Sequence, residues 1–257
     1  MPWVEVIAIF LAGVAAGTIN AIVGSGTLIT FPVLLAFGFP PVVANVSNNI
    51  GMVPGGVTAT LGYRSELRGQ GRHVRLLAPM SLVGAVVGAL LLLRLPAVAF
   101  EAIVPVLLAI SLVLVVTQPR IQAVVARRRD AVGRSSARGH ERLAMGGTFV
   151  AGVYGGYFGA AQGVLLVGLL GSLLPETLQR VNALKNLLSL VVNLVAALVF
   201  VSVARSHIDW RAAALVAAGS LVGGYLGARF GRRLPPSVLR VLIVVVGVVA
   251  IWRVVTG

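Results

Sequence analysis

The sequence predicts an all-α, multi-pass membrane protein made of two inverted structural repeats. Each repeat is expected to hold a broken or re-entrant helical segment followed by three transmembrane helices. Three observations carry this. First, 58% of the 257 residues are hydrophobic and only 11% are charged, whereas soluble domains carry about 25% charge. Second, apolar runs at 76–93, 97–117, 187–203 and 236–251 are long enough to cross a bilayer as helices. They are continuous rather than alternating, and lipid tolerates no bare backbone, so helices are the expected form. Third, the chain is written twice. "SLVGAVVGALLLLRLP" at 81–96 aligns without gaps on "SLVGGYLGARFGRRLP" at 220–235, nine of sixteen positions being identical. The same offset of 139 places "FLAGVAAG" at 10–17 on "FVAGVYGG" at 149–156, and an offset of 137 places "NVSNN" at 45–49 on "NALKN" at 182–186. Three matches in the same order indicate duplication.

Charge and composition exclude other classes. The net charge of +14 could suggest nucleic acid. The arginines, however, sit at the ends of apolar runs, where orientation signals lie, and no nucleic-acid motif accompanies them. With no cysteine, disulfides, thiol catalysis and thiolate metal sites drop out. The opening "MPWVEVIAIF" lacks the basic region of a cleaved leader and is expected to begin a retained membrane helix.

Taken in order, the first repeat (1–117) opens with a glycine-interrupted segment, 4–37, broken at "GSGT" (24–27). Helices near 41–63, 76–94 and 97–117 follow. The stretch 118–142 holds seven arginines and two acids and is expected to be a solvated, basic cytoplasmic linker. The second repeat (143–257) opens with 143–174, broken near "AAQG" (160–163), before helices near 178–203, 211–230 and 236–256. The second piece of a broken segment, such as 27–37, is about 16 Å long, half a bilayer. If each broken segment is a hairpin, each half crosses an odd number of times and the halves are inverted. Sixteen arginines then lie inside and four outside. Single crossings would make the halves parallel, with about fourteen inside and six outside by the same charge rule. The inverted arrangement obeys the rule better and puts both termini outside the cytoplasm.

Inverted repeats with broken helices are the architecture of many secondary transporters. The first candidate site is the pair of breaks. Gly24 and Gly26 let backbone approach a solute, Ser25 and Thr27 add hydroxyls, and Gln162 and Gly163 stand at the second break. Close helix packing is the alternative use of such glycines. The second candidate is the triplet Asn45, Asn48 and Asn49 with its counterpart Asn182, Lys185 and Asn186. Spacings of three and four put each triplet on one helix face. Ser189 and Asn193 extend the second face. Equivalent polar faces in both halves suggest facing walls of one cavity; helix–helix glue is the alternative. Lys185 is the single lysine among 21 basic residues. An ionisable residue within a span is a functional candidate by default. A compact ammonium can face an anion and release it, although snorkelling to the interface would also explain it.

Elsewhere the chemistry is sparse. Glu101 falls near a helix end, His73 and His207 in loops and His140 in the linker, and none of these forms a metal constellation. No nucleophile–base pair, cofactor motif or phosphate-binding loop is present, so no enzyme activity or cofactor is expected and a gradient would drive any transport.

"GTINAIVGSGTLITFPVLLAFGFPPVVANVSNNIG" (17–51), with "NALKN" in the second half, resembles the TauE/SafE sulfite exporter family, a group of bacterial permeases for sulfite, sulfonates and related sulfur compounds. The resemblance covers the whole chain. The second glycine segment, "GYFGAAQGVLLVGLL", departs from the family's usual glycine-rich form. The resemblance implies a multi-pass protein of the bacterial inner membrane carrying a small anionic solute, foremost sulfite or an organosulfonate, by secondary transport. An anion channel or uniporter of the same fold is the alternative, and a membrane scaffold or an intramembrane enzyme are the other classes weighed. Lipid and the solute are the expected partners, nucleic acid is not, and a homodimer is compatible with the class.

Overall fold

The computed structural model describes residues 1–132 and 137–231, with positions 241, 243–246 and 248 beyond them. The described residues are helical, with no strand among them. The helices are α1 (Trp3–Ile22), α2 (Thr27–Ala36), α3 (Pro41–Gly62), α4 (Arg64–Leu67), α5 (Gly71–Arg94), α6 (Ala97–Val132), α7 (Ala137–Tyr157), α8 (Gln162–Leu173), α9 (Leu178–Val203) and α10 (Trp210–Phe230). A 3-10 turn at Arg205–His207 precedes α10. Five helices are long and apolar enough to cross a membrane: α1, α5, the first part of α6, α9 and α10. The helix expected over 236–256 lies mostly outside the described residues.

Local signals set most boundaries. Pro41 begins α3, where its missing N–H costs nothing. Thr177 accepts from the Arg180 amide at the start of α9, and Asp209 caps α10 by accepting from the Ala212 amide. The segment expected to be a loop at 118–142 departs from expectation. Helix α6 continues to Val132 and α7 begins at Ala137. The basic stretch is rich in Ala, Gln and Arg, which are good helix formers, and polarity alone does not end a helix.

The two halves interlock. Helix α1 packs most closely on α10, and α7 on α5, so each broken segment lies against a helix of the other half. Helix α10 also packs on α3, α3 on α9 and α5 on α9. Glycines make these crossings close. A Cβ built on Gly17 would lie 2.4 Å from the Ser220 carbonyl oxygen, and one on Gly88 would lie 2.0 Å from that of Val153. Small residues of this kind let membrane helices touch backbone to backbone. Gly88→Ala is therefore expected to lower the melting temperature by several degrees, since overpacking costs about 1–3 kcal/mol. A scanning-fluorimetry midpoint equal to wild type would contradict the close α5–α7 crossing.

The register of the first helices also differs from the gapless alignment. The bends follow Ile22 and Tyr157, which are 135 residues apart rather than 139. A GxxxG-rich helix looks like itself after a shift of four residues, one turn, so the sequence match slid by that amount.

A stripe on α6, Phe100, Val104, Leu108, Leu112 and Val115, is buried, while Val106, Ile110 and Val113 on the same helix are exposed. The buried stripe is one helix face. Phe158, inside the second break, packs edge-on against Phe31 of α2 (ring centroids 5.2 Å apart) and Phe100 of α6 (6.2 Å). This aromatic cluster anchors both broken segments to α6.

Candidate functional site

The two breaks share one local design. At the end of α1 the amides of Val23 and Gly24 both bond the Ile19 carbonyl, at 2.7 and 3.2 Å, and at the end of α7 those of Phe158 and Gly159 both bond Tyr154, at 2.9 and 3.0 Å. Gly24 and Gly159 then take positive φ values of 89° and 80°, a conformation open to glycine without cost. The first break is residues 23–26, and Thr27 already begins α2. The second is residues 158–161, earlier than the expected 160–163: Gln162 and Gly163 already belong to the first turn of α8. Ala161 has φ 59°, the one positive-φ non-glycine residue among the described residues. It sits where the sequence departs from the glycine-rich pattern, and it carries backbone strain at the break.

The breaks meet each other. The Gly163 amide donates to the Gly24 carbonyl at 3.0 Å. A Cβ on Gly24 would lie 2.5 Å from Gly163 Cα, and one on Gly163 would lie 2.4 Å from Gly24 Cα. The same two added atoms would come within 3.1 and 2.8 Å of Lys185 Cδ, so the lysine stem lies across the crossing.

Lys185 is fully buried, at 0% exposure. Its Nζ donates to the carbonyls of Asn20 (2.8 Å) and Ala21 (3.3 Å). Asn182 Nδ2 and Asn186 Nδ2 each donate to the Ala21 carbonyl at 3.2 Å. The polar face of α9 therefore caps the C-terminal end of α1. A helix end leaves carbonyls unsatisfied and carries negative partial charge, so an ammonium and amide donors suit it. The lysine does not snorkel: its ammonium is held on main-chain carbonyls inside the protein.

The polar face of α3 does related work. Asn45 Nδ2 donates to the Tyr157 carbonyl at 2.9 Å, capping α7 across the two halves. Asn48 accepts from Thr30 Oγ1 and donates to Thr27 Oγ1 at 3.3 Å, holding α2. Asn49 is buried, with its Oδ1 unpartnered among the described residues. The structure thus brings Gly24, Gly163, Asn182, Lys185 and Asn186 to one point. Asn45, Asn48 and Thr27 serve the neighbouring helix ends. Ser25 and Gly26 lie buried in the first break, and Gln162 lies buried against Gly155. In this conformation the two polar triplets meet helix ends rather than an open cavity between them.

Several residues escaped the sequence. Ser111 Oγ and Tyr154 Oη both bond the Ala160 carbonyl, at 3.2 and 2.6 Å, and Gln118 Nε2 reaches the Val23 carbonyl at 3.5 Å. Ser111 and Gln118 are seven residues apart, hence on one face of α6. That spacing is the available signal, against a charge pattern that places Gln118 in the linker. Thr30 gave no signal beyond being a hydroxyl in an apolar run.

The site is rich in unpaired buried polar atoms: Ser25 Oγ, Asn45 Oδ1, Asn49 Oδ1, Asn182 Oδ1, Gln118 Oε1 and Gln162 Nε2 have no partner among the described residues. Each such atom costs about 1–3 kcal/mol, and native proteins carry few of them. Of these six, Asn182 Oδ1 belongs to the residue whose amide shares the Ala21 carbonyl with the Lys185 ammonium.

Comparison with known proteins agrees. Residues 9–254 match the family model described as sulfite exporter TauE/SafE. The chain is 29% identical over 245 residues to the "probable membrane transporter protein YfcA" of Escherichia coli (strain K12), covering 94% of this chain and 86% of that one. It is 26% identical over 241 residues to a "probable membrane transporter protein" of Haemophilus influenzae, covering 92% and 89%. A "probable membrane transporter protein ORF9" from Sinorhizobium sp is 40% identical over 105 residues, 39% of this chain and 38% of that one. No solved structure matches. Apolar helices of spanning length, two interrupted helices and a nearly full-length family match lead to one conclusion: the chain belongs to the TauE/SafE sulfite exporter family and is a membrane transporter, not an enzyme.

Proposed function

We propose that the protein is a secondary transporter of a small oxyanion, sulfite or an organosulfonate, in a bacterial inner membrane. The observation that carries this reading is the buried Lys185 ammonium at the meeting point of two helix breaks, beside Asn182, whose Oδ1 has no partner among the described residues. An oxyanion offers several acceptor oxygens. The Ser25 hydroxyl, the Gln162 amide and the Asn182 and Asn186 amides supply donors, and the lysine supplies charge. In the structure the ammonium rests on the Asn20 and Ala21 carbonyls. Substrate would draw it off them, so binding is coupled to the position of α1. Full burial of the lysine favours alternating access over a standing pore, which would keep it wet. The residues proposed to contact substrate are Gly24, Ser25, Gly26, Thr27, Asn45, Asn48, Asn49, Gln162, Gly163, Asn182, Lys185 and Asn186.

The same proposal includes two inverted repeats, 1–117 and 143–257, joined by the basic segment 118–142. The crossed packing of α1 on α10 and α7 on α5, and the two matching breaks, support it. Purified protein in liposomes should carry labelled sulfite or a short sulfonate in a saturable, gradient-dependent manner. Flux of every such anion equal to that of protein-free vesicles would overturn the substrate class. Saturation-free flux independent of any gradient would point instead to a channel or uniporter.

Topology is a separate expectation. With inverted repeats sixteen arginines would fall on the linker side and four on the other, the more uneven of the two splits, so both termini are expected outside the cytoplasm, with Arg127–Arg129 inside it. Paired phosphatase and fluorescent-protein fusions at the C-terminus and within the linker report this. A fluorescent C-terminal fusion would mean parallel repeats.

A further inference from the structure

A groove of about 400 Å³ lies between the ends of α3 and α10, lined by Thr58, Leu61, Gly62, Tyr225, Ala228 and Arg229. Its volume falls within the range of about 300–1,000 Å³ usual for ligand sites. The walls are chiefly apolar, and Leu61 and Tyr225 are exposed. At one end stands Arg229. Its Nη1 donates to Tyr225 Oη, and its guanidinium lies 5.8 Å from the ring centroids of both Tyr225 and Phe230. These neighbours orient the guanidinium without neutralising it. Gly62 and Ala228 touch, since a Cβ on Gly62 would lie 2.3 Å from Ala228 Cβ. The short helix α4, with Arg64 and Glu66, therefore follows α3 at the same end as Arg229.

We propose that this groove binds an anionic phospholipid, with an acyl chain along Leu61 and Ala228 and the phosphate on Arg229. The chemistry matches on both parts. A hydrocarbon chain fits an apolar furrow that already faces hydrocarbon. Arginine pairs with phosphate through several N–H donors, and a basic pocket between spans at the headgroup level recognises anionic headgroups. The Arg229 guanidinium favours a net-negative lipid over a zwitterionic one. Because the groove lies on α10, whose other face packs on α1, a bound lipid would also steady the helix beside the first break.

The test uses the full-length protein in nanodiscs of equal phosphatidylglycerol and phosphatidylcholine, released into native mass spectrometry. Wild type should retain phosphatidylglycerol in preference. Arg229→Gln should reduce that preference about tenfold, the size of one charge-assisted hydrogen bond, and Arg229→Lys should keep part of it. Leu61→Trp, which fills the furrow, should reduce retention of either lipid. Arg229 and Leu61 are both exposed, so these variants should elute as monodisperse as wild type. Equal retention of the two lipids by wild type, or an unchanged ratio in Arg229→Gln, would overturn the proposal. So would displacement of the retained lipid by inorganic phosphate, which would assign Arg229 to a free anion. Loss of a dimer in Leu61→Trp, measured by light scattering, would assign the groove to a second copy of the chain.

Discussion

Replacing Lys185 with methionine is expected to lower anion flux about 10–100-fold or more while leaving the protein folded. The first half of that statement follows from charge: one charge-assisted contact to an anion contributes about 1.5–3 kcal/mol. The second half follows from two opposing changes. The Asn20 carbonyl loses its donor, but the Ala21 carbonyl keeps Asn182 and Asn186. At the same time a buried cation, which costs several kcal/mol to desolvate, is gone. Methionine fills the stem volume over Gly24 and Gly163. The melting temperature should therefore stay within ~5 °C of wild type. Lys185→Arg should also fail, because its branched head has no room where the stem already presses on two glycine backbones. Labelled-sulfite flux in liposomes at matched protein content measures both variants. Full flux in Lys185→Met would reduce the lysine to a helix cap.

The second large effect is at the glycine crossing. Gly24→Ala places a methyl 2.5 Å from Gly163 Cα, at a residue with φ 89°. The left-handed conformation costs a side-chain residue roughly 1–2 kcal/mol, and the overlap adds about 1–3 kcal/mol. Gly163→Ala meets the same overlap from the other side, 2.4 Å from Gly24 Cα. Each is expected to lower the melting temperature by on the order of 10 °C and to eliminate flux. Gly146→Ala is the control. An added Cβ there meets nothing within 4 Å, and Ala is a better helix former than Gly. A Gly24→Ala protein as stable as the Gly146→Ala control would mean that the two breaks do not touch in the membrane.

The helices were legible because their signal is compositional. A run of apolar residues long enough to span lipid must be helical whatever its neighbours are, and α9 begins and ends where its pattern does, at Leu178 and Val203. The breaks were legible as places, since glycine pairs interrupt an otherwise continuous run. Their edges were not. "AAQG" is split between the break and the first turn of α8, because the bend is set by Gly159 and by Ala161 in a strained conformation. Charge marks solvent exposure and so predicts a loop at the basic linker, yet charged residues with good helix propensity extend α6 to Val132.

The sequence by itself determined the class, the spanning helices α5, α6, α9 and α10, the presence of two interrupted segments and the identity of the polar residues on α3 and α9. Those are properties of local composition and periodicity. Only the tertiary structure decided what the polar residues do. Nothing in "NALKN" tells that its lysine and asparagines reach the last carbonyls of a helix that begins at residue 3, or that Asn45 reaches the end of α7 instead of its own broken segment. Partner choice across more than a hundred residues depends on which helices cross and how closely. The crossings in turn depend on where glycine backbones meet, at Gly17 on α10, Gly88 on α7 and Gly24 on Gly163. A pattern of period near four states that a face is small, but not which other face will lie against it or in which register.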